Sequence, residues 1–88
     1  MGTVPSLTSK RNTFREGMIA TWQRPLDKAL DAGVIAPQHT RRSAEALTGA
    51  FDEVVLNLLN EPDMETEAEH ALRDMVDFTL RAVAYSGA

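Results

Sequence analysis

The sequence predicts an all-α fold of three helices, and three observations predict it. Apolar residues recur at spacings of three and four in three separate stretches: Phe14-Met18-Trp22-Leu26-Leu30, Leu47-Phe51-Val54-Leu58 and Leu72-Val76-Leu80-Val83. Ser, Thr or Asp residues stand ahead of the stretches, and Gly or Pro falls between them. No stretch alternates apolar with polar residues as a strand does. The 88 residues suffice for one domain with a thin core. A composition of 43% hydrophobic and 25% charged residues separates the chain from disordered sequences.

Residues 1–12, with Gly2, Pro5 and several Ser and Thr, read as a flexible lead-in to a helical unit over 13–86. The first helix is expected over about 13–32, opened by the capping-box pattern Thr13-Phe-Arg-Glu16. Its polar side holds Glu16, Gln23, Arg24, Asp27 and Asp31. Pro25 should kink or divide it, because proline removes one backbone bond and crowds the preceding turn. Gly33 ends it, being free to adopt a left-handed conformation. The link VIAPQH follows, with Val34 and Ile35 expected beneath the helix ends.

Thr40 is expected to cap a second helix over about 40–60, which Glu61-Pro62-Asp63 breaks. The third helix is expected over about 64–85, from Asp63 or from the capping box Thr66-Glu-Ala-Glu69, with Gly87 beyond it. Glu65, Glu67 and Glu69 suit the positive end of its dipole.

Two of the helices are apolar over more of their circumference than one neighbour covers. Around the third, Leu72, Met75, Val76, Leu80 and Val83 sweep well past the stripe of about 100° that one packed helix hides. The second has its main stripe at Ala44, Leu47, Phe51, Val54, Val55, Leu58 and Leu59, and a far side of Ala46, Gly49, Ala50 and Leu56 around Glu53. A mid-helix glycine costs about 0.5–1 kcal/mol relative to alanine, and close approach of another backbone is one return on that cost. A solvent-facing Gly and two Ala with no role are the other reading. The wide faces predict a three-helix antiparallel unit whose last two helices form a four-helix bundle in a homodimer. The interface residues expected are Ala46, Gly49, Ala50, Glu53 and Leu56 with Leu72, Met75, Val76, Leu80 and Val83.

From Ala29 to Val83 the chain reads ALDAGVIAPQHTRRSAEALTGAFDEVVLNLLNEPDMETEAEHALRDMVDFTLRAV. The turn at Ala32, Gly33, Ile35 and Pro37 is followed by Ala44, Leu47, Gly49, Ala50 and Glu53 on a long helix. Pro62-Asp63 then lies in an acidic loop, and Leu80-Arg81-Ala82 stand near the end. This order resembles the C-terminal regulatory domain of TetR-family transcriptional regulators. The resemblance implies a homodimer built on the last two helices and a small apolar effector held against the preceding one. The pocket wall it implies is Phe14, Met18, Trp22 and Leu26, with Phe51 facing them. The three-helix DNA-binding half of such regulators has no counterpart here. The expected function is therefore a dimerisation and effector-binding module without its own DNA-binding domain. The alternative is an interaction adaptor that heterodimerises with a full-length regulator and needs no ligand.

Charge agrees with the lack of nucleic-acid contact. Residues 51–88 hold two Arg against nine Asp and Glu, a net −7 that repels phosphate. With no cysteine there is no thiol chemistry and no Cys-ligated zinc, and the composition fits a cytoplasmic location. No apolar run is long enough for a membrane span. His39 and His70 lie far apart in the sequence and read as solvated. His70 has Glu67 and Asp74 at helical spacing but no third metal ligand. No catalytic set and no phosphate-binding loop is legible, so the chain is expected not to be an enzyme, with no cofactor and no metal.

Overall fold

The computed structural model of the chain describes the backbone of residues 5–87 and the side-chain environments of residues 12–87. The fold is all-α: α1 spans Pro5–Asp31, α2 Thr40–Leu58 and α3 Met64–Ala82. The described residues form no strand, only one isolated antiparallel bridge between Ile35 and Tyr85.

α1 starts eight residues earlier than the capping box at Thr13 predicts. Proline suits the first turn, where its fixed φ is already helical and its missing N–H has no partner to lose. No Gly or further Pro interrupts the chain until Gly17, so the lead-in from residue 5 to 12 is helix. Residues 1–4 of the expected lead-in lie outside the described residues. Pro25 does not divide α1, which is continuous through it. Without an N–H at Pro25, the Thr21 carbonyl lacks its usual helical donor.

α2 and α3 end at Leu58 and Ala82, each a turn or less before the expected limits at 60 and 85. The cap of α2 is His39, not Thr40: its Nδ1 accepts from the Arg42 N–H at 3.1 Å. Thr40 instead donates from Oγ1 to Asp27 Oδ1 on α1. Asp63 precedes α3 without a capping hydrogen bond from its side chain, and Thr66 lies inside the helix.

α1 and α3 end in the same device. The Gly33 N–H donates to Leu30 O and the Val34 N–H to Ala29 O. In the same way Ala84 donates to Arg81 O and Tyr85 to Leu80 O. These are the paired bonds of a Schellman motif, which needs a left-handed residue. Gly33 supplies it at φ 73°, and Ala84 supplies it at φ 56° despite its Cβ. The two exits meet, with Ile35 bridging Tyr85 and the Ser86 N–H donating to Val34 O at 2.8 Å.

The core lies where this knot meets α2. Ile19 (1% exposed), Leu26, Ile35, Ala44, Leu47 and Val83 form one cluster, with Trp22, Ala29, Leu30 and Val34 packed on it. Thr48 is buried beside them and donates to Ala44 O at 2.8 Å. α2 and α3 form an antiparallel hairpin, while α1 packs on α2 and makes no close helix–helix approach to α3. The molecule is consequently flat, 53 × 34 × 13 Å. Its radius of gyration is 15.7 Å, against roughly 12 Å for a compact chain of this length. A thickness of 13 Å admits at most two helices stacked at the usual separation of about 8–10 Å, so no helix is enclosed on all sides.

Candidate functional site

The hairpin is covered unevenly. α1 packs on the first half of α2. There Arg41 forks onto Glu16, donating from Nη1 to Oε1 and from Nη2 to Oε2, each at 2.9 Å, while its Nε donates to Glu45 at 2.9 Å. That bidentate bond holds the Glu16 carboxyl below its ordinary pKa, chiefly by hydrogen bonding and secondarily by the guanidinium charge. Both carboxylates in turn push the Arg41 pKa up. Among the described residues, no third helix lines the hairpin beyond Phe51, and of the large apolar side chains there only Met75 is buried.

The result is an apolar trough of about 140 Å³ on one side of the hairpin. Phe51, Val54, Val55 and Leu58 of α2 line it against Ala68, Ala71, Leu72 and Met75 of α3. Leu72 is 62% exposed at its edge, with Val55, Leu59 and Val76 also exposed. The opposite side of the same hairpin half is polar, a hollow of about 220 Å³ where Asn57, Glu61, Glu67, His70 and Asp74 gather. Among the described residues no group of three or more His, Asp and Glu is disposed to hold a metal ion.

The residues expected to wall a ligand pocket are not brought round a common space. The Trp22 and Phe51 rings do face each other, with centroids 4.8 Å apart and planes tilted by 49°. They fill the space between them, as tilted aromatic pairs do. Leu26 is part of the core, and Met18 is half-buried on α1. Phe14 is 69% exposed, three turns of helix from the core residue Leu26. Of the five, Phe51 alone lines the trough.

The ten residues expected at an interface fall into three groups. Met75 and Val83 are buried within the chain itself. Leu72, Val76 and Leu80 are exposed on the trough side and outer side of α3. At about 100° per residue, Ala46, Gly49, Glu53 and Leu56 lie on the back of α2 and its opposite flank. Ala46 there shares a small hollow with Phe78 and Ala82, and Ala50 is half-buried. The small-residue face and the α3 stripe thus look to opposite sides of the slab. A Cβ placed on Gly49 meets nothing within 4 Å, so no contact inside this chain requires the glycine.

Sequence reasoning missed the residues that lock the knot. Gln38 Nε2 donates to Ala36 O at 2.8 Å and to Val83 O at 2.9 Å, and its Oε1 accepts from Ser43 Oγ at 2.7 Å. One amide thereby satisfies the link, the end of α3 and the first turn of α2. The only sequence signal for it is Pro37, which fixes the backbone ahead of Gln38. Among the described residues no helix is long and apolar enough to cross a membrane. Comparison with known protein families, with curated proteins and with solved structures finds no match to this chain.

Proposed function

We propose that this chain is a helical dimerisation module of TetR-regulator type, acting in the cytoplasm by pairing with a second copy and reaching DNA only through other protein segments. The observation that carries the reading is the apolar surface left bare. Among the described residues, ten large hydrophobic side chains are exposed, with Val55, Leu59, Leu72 and Val76 grouped about the trough, against seven hydrophobic residues buried in the core. Exposed apolar surface grouped about a trough marks association sites, and a thin core in a short chain is commonly completed by a partner. Sedimentation at micromolar concentration is expected to return twice the 9.7 kDa chain mass. A single-chain mass would overturn the reading.

A dimerisation module that needs no ligand is favoured over an effector site within one chain. The trough of about 140 Å³ is smaller than the roughly 300–1,000 Å³ of small-molecule pockets, and the Trp22–Phe51 pair occupies the space next to it. Tryptophan fluorescence during a titration with apolar ligands tests this. No change in Trp22 emission is expected, and a saturable shift would restore the effector.

A further inference from the structure

We propose that the α2–α3 trough is covered by the same trough of a second copy of this chain, with the two α3 helices crossing antiparallel about a two-fold axis beside Leu72. The inference rests on the self-association proposed above and specifies which side of the hairpin meets its mate.

The trough carries both halves of a self-complementary contact. Two of its lining residues, Ala68 and Ala71, are small, and Leu72 stands at its edge, 62% exposed. Leu72, Val76 and Leu80, four residues apart and all exposed, form one ridge along α3. Ala71 and Met75 belong to the next row toward α2, so a groove runs beside that ridge. Rows of this spacing on two helices pack ridge into groove. A two-fold axis seats each ridge in the other copy's groove at once, and such a contact closes at two chains.

Charge sets the direction. Residues 64–72 hold Glu65, Glu67 and Glu69 with no Lys or Arg, while residues 73–82 hold Arg73 and Arg81 with Asp74 and Asp77. Parallel α3 helices would set acid on acid, whereas antiparallel ones set the acidic half against the half that holds both arginines. At about 100° per residue, Glu69 and Arg73 flank the ridge on the side away from α2. Their spacing of four suits an ion pair within the helix. Among the described residues, however, the ion pairs are Arg41–Glu16 and Arg41–Glu45, so Glu69 and Arg73 are unpaired in their own chain. Across the axis each Glu69 comes beside the other copy's Arg73, which makes the pair twice. Asp52 on the outer flank of α2 and Glu65, two turns before Leu72, are exposed and stay in solvent at the rim.

Sedimentation equilibrium of the full chain tests the surface. Leu72→Ser and Val76→Ser are each expected to raise the dimer Kd by about tenfold or more, as loss of an interface anchor does. Leu56→Ser removes a leucine that is 59% exposed on the far side of α2, and is expected to leave the Kd unchanged. Arg73→Glu is expected to weaken the dimer, and the paired Glu69→Arg/Arg73→Glu chain to recover it. Because the chain has no cysteine, a single introduced thiol reports the axis. A short thiol-reactive cross-linker should join Leu72→Cys chains in pairs and leave Leu56→Cys chains single. All these positions are exposed in the single chain, so circular dichroism should show the helical content unchanged. A dimer that ignores Leu72→Ser, or that is lost with Leu56→Ser, overturns the inference and leaves the dimer reading intact. A wild-type chain that sediments as a monomer overturns both.

Discussion

Gln38 donates from Nε2 to the backbone carbonyl of Val83 at 2.9 Å, tying the α1–α2 link to the end of α3 across 45 positions of sequence. α3 has no close approach to α1 along its length, so this bond, the Ile35–Tyr85 bridge, the Ser86–Val34 bond and the burial of Val83 in the core fasten its C-terminal end to the rest of the chain. The carbonyl it meets is one of the four that a helix end leaves without an internal partner.

Replacing Gln38 with Leu removes that donor and strands the partners on Val83 and Ser43. The expected cost is about 1–3 kcal/mol in urea unfolding. Native-state hydrogen exchange should show the Ser86 N–H losing protection first, because it donates to Val34 in the same knot. Unchanged protection at Ser86 would mean the amide does not hold the two exits together.

His39 caps α2 through Nδ1. His39→Ala is expected to cost about 1 kcal/mol of stability, and His39→Asn to retain most of it, since asparagine is among the preferred capping residues. Chemical denaturation of the three chains checks the order. Equal stability of the Ala and Asn variants would show that the cap contributes nothing.

Ala84 and Gly33 do the same conformational task with different residues. Ala84→Gly is expected to stabilise the chain by about 0.5–1 kcal/mol, because glycine carries no Cβ penalty at φ 56°. Gly33→Ala, at φ 73°, is expected to cost about 1 kcal/mol. Thermal melts of the two variants should move in opposite directions.

Gly49 has open space around it and a helix interior on either side. Gly49→Ala is therefore expected to stabilise the single chain by about 0.5–1 kcal/mol through helix propensity. Gly49→Leu separates the two uses of that face. With the exposed apolar residues Val55 and Leu72 on the other side of the hairpin, it should leave the dimer Kd unchanged, whereas a strong loss of association would place the small-residue face at the contact.

The Glu16–Arg41 fork sets an acid limit on how α1 is tied to α2. The Glu16 pKa is lowered in the folded chain from its ordinary 4.5, so between the two values the unfolded chain binds more protons than the folded one. Its contribution to stability is complete above about 4.5 and is lost as the pH falls through the folded value. Melting temperatures of wild type and Glu16→Gln should differ at neutral pH and converge in acid. A gap that persists in acid would assign the effect to something other than the fork.

The three helices were legible because each carries a 3.6-residue apolar period between Gly or Pro breaks; that Phe51 faces Trp22 was expected only from the family resemblance. The start of α1 was not, because a proline among Ser and Thr reads equally as a loop or as a first helical turn. His39 was overlooked as a cap because Thr40 beside it is the commoner capping type. The expected interface was assembled from two helices whose faces could be read one at a time. Their relative rotation, which sets Gly49 and Leu72 on opposite sides of the hairpin, is a property of packing and has no local signature.

The sequence by itself determined the fold class, the number and order of the helices, the acidic second half and the excess of apolar surface. Each of these is a local sum over neighbours in the chain. The tertiary structure decided where that surplus lies. Gln38 and the paired Schellman exits gather α1, α2 and the end of α3 into one small core, and α1 runs across only half of the hairpin. The trough is what remains where α1 packs on the first half of α2 and, among the described residues, no third helix lines the rest of the hairpin.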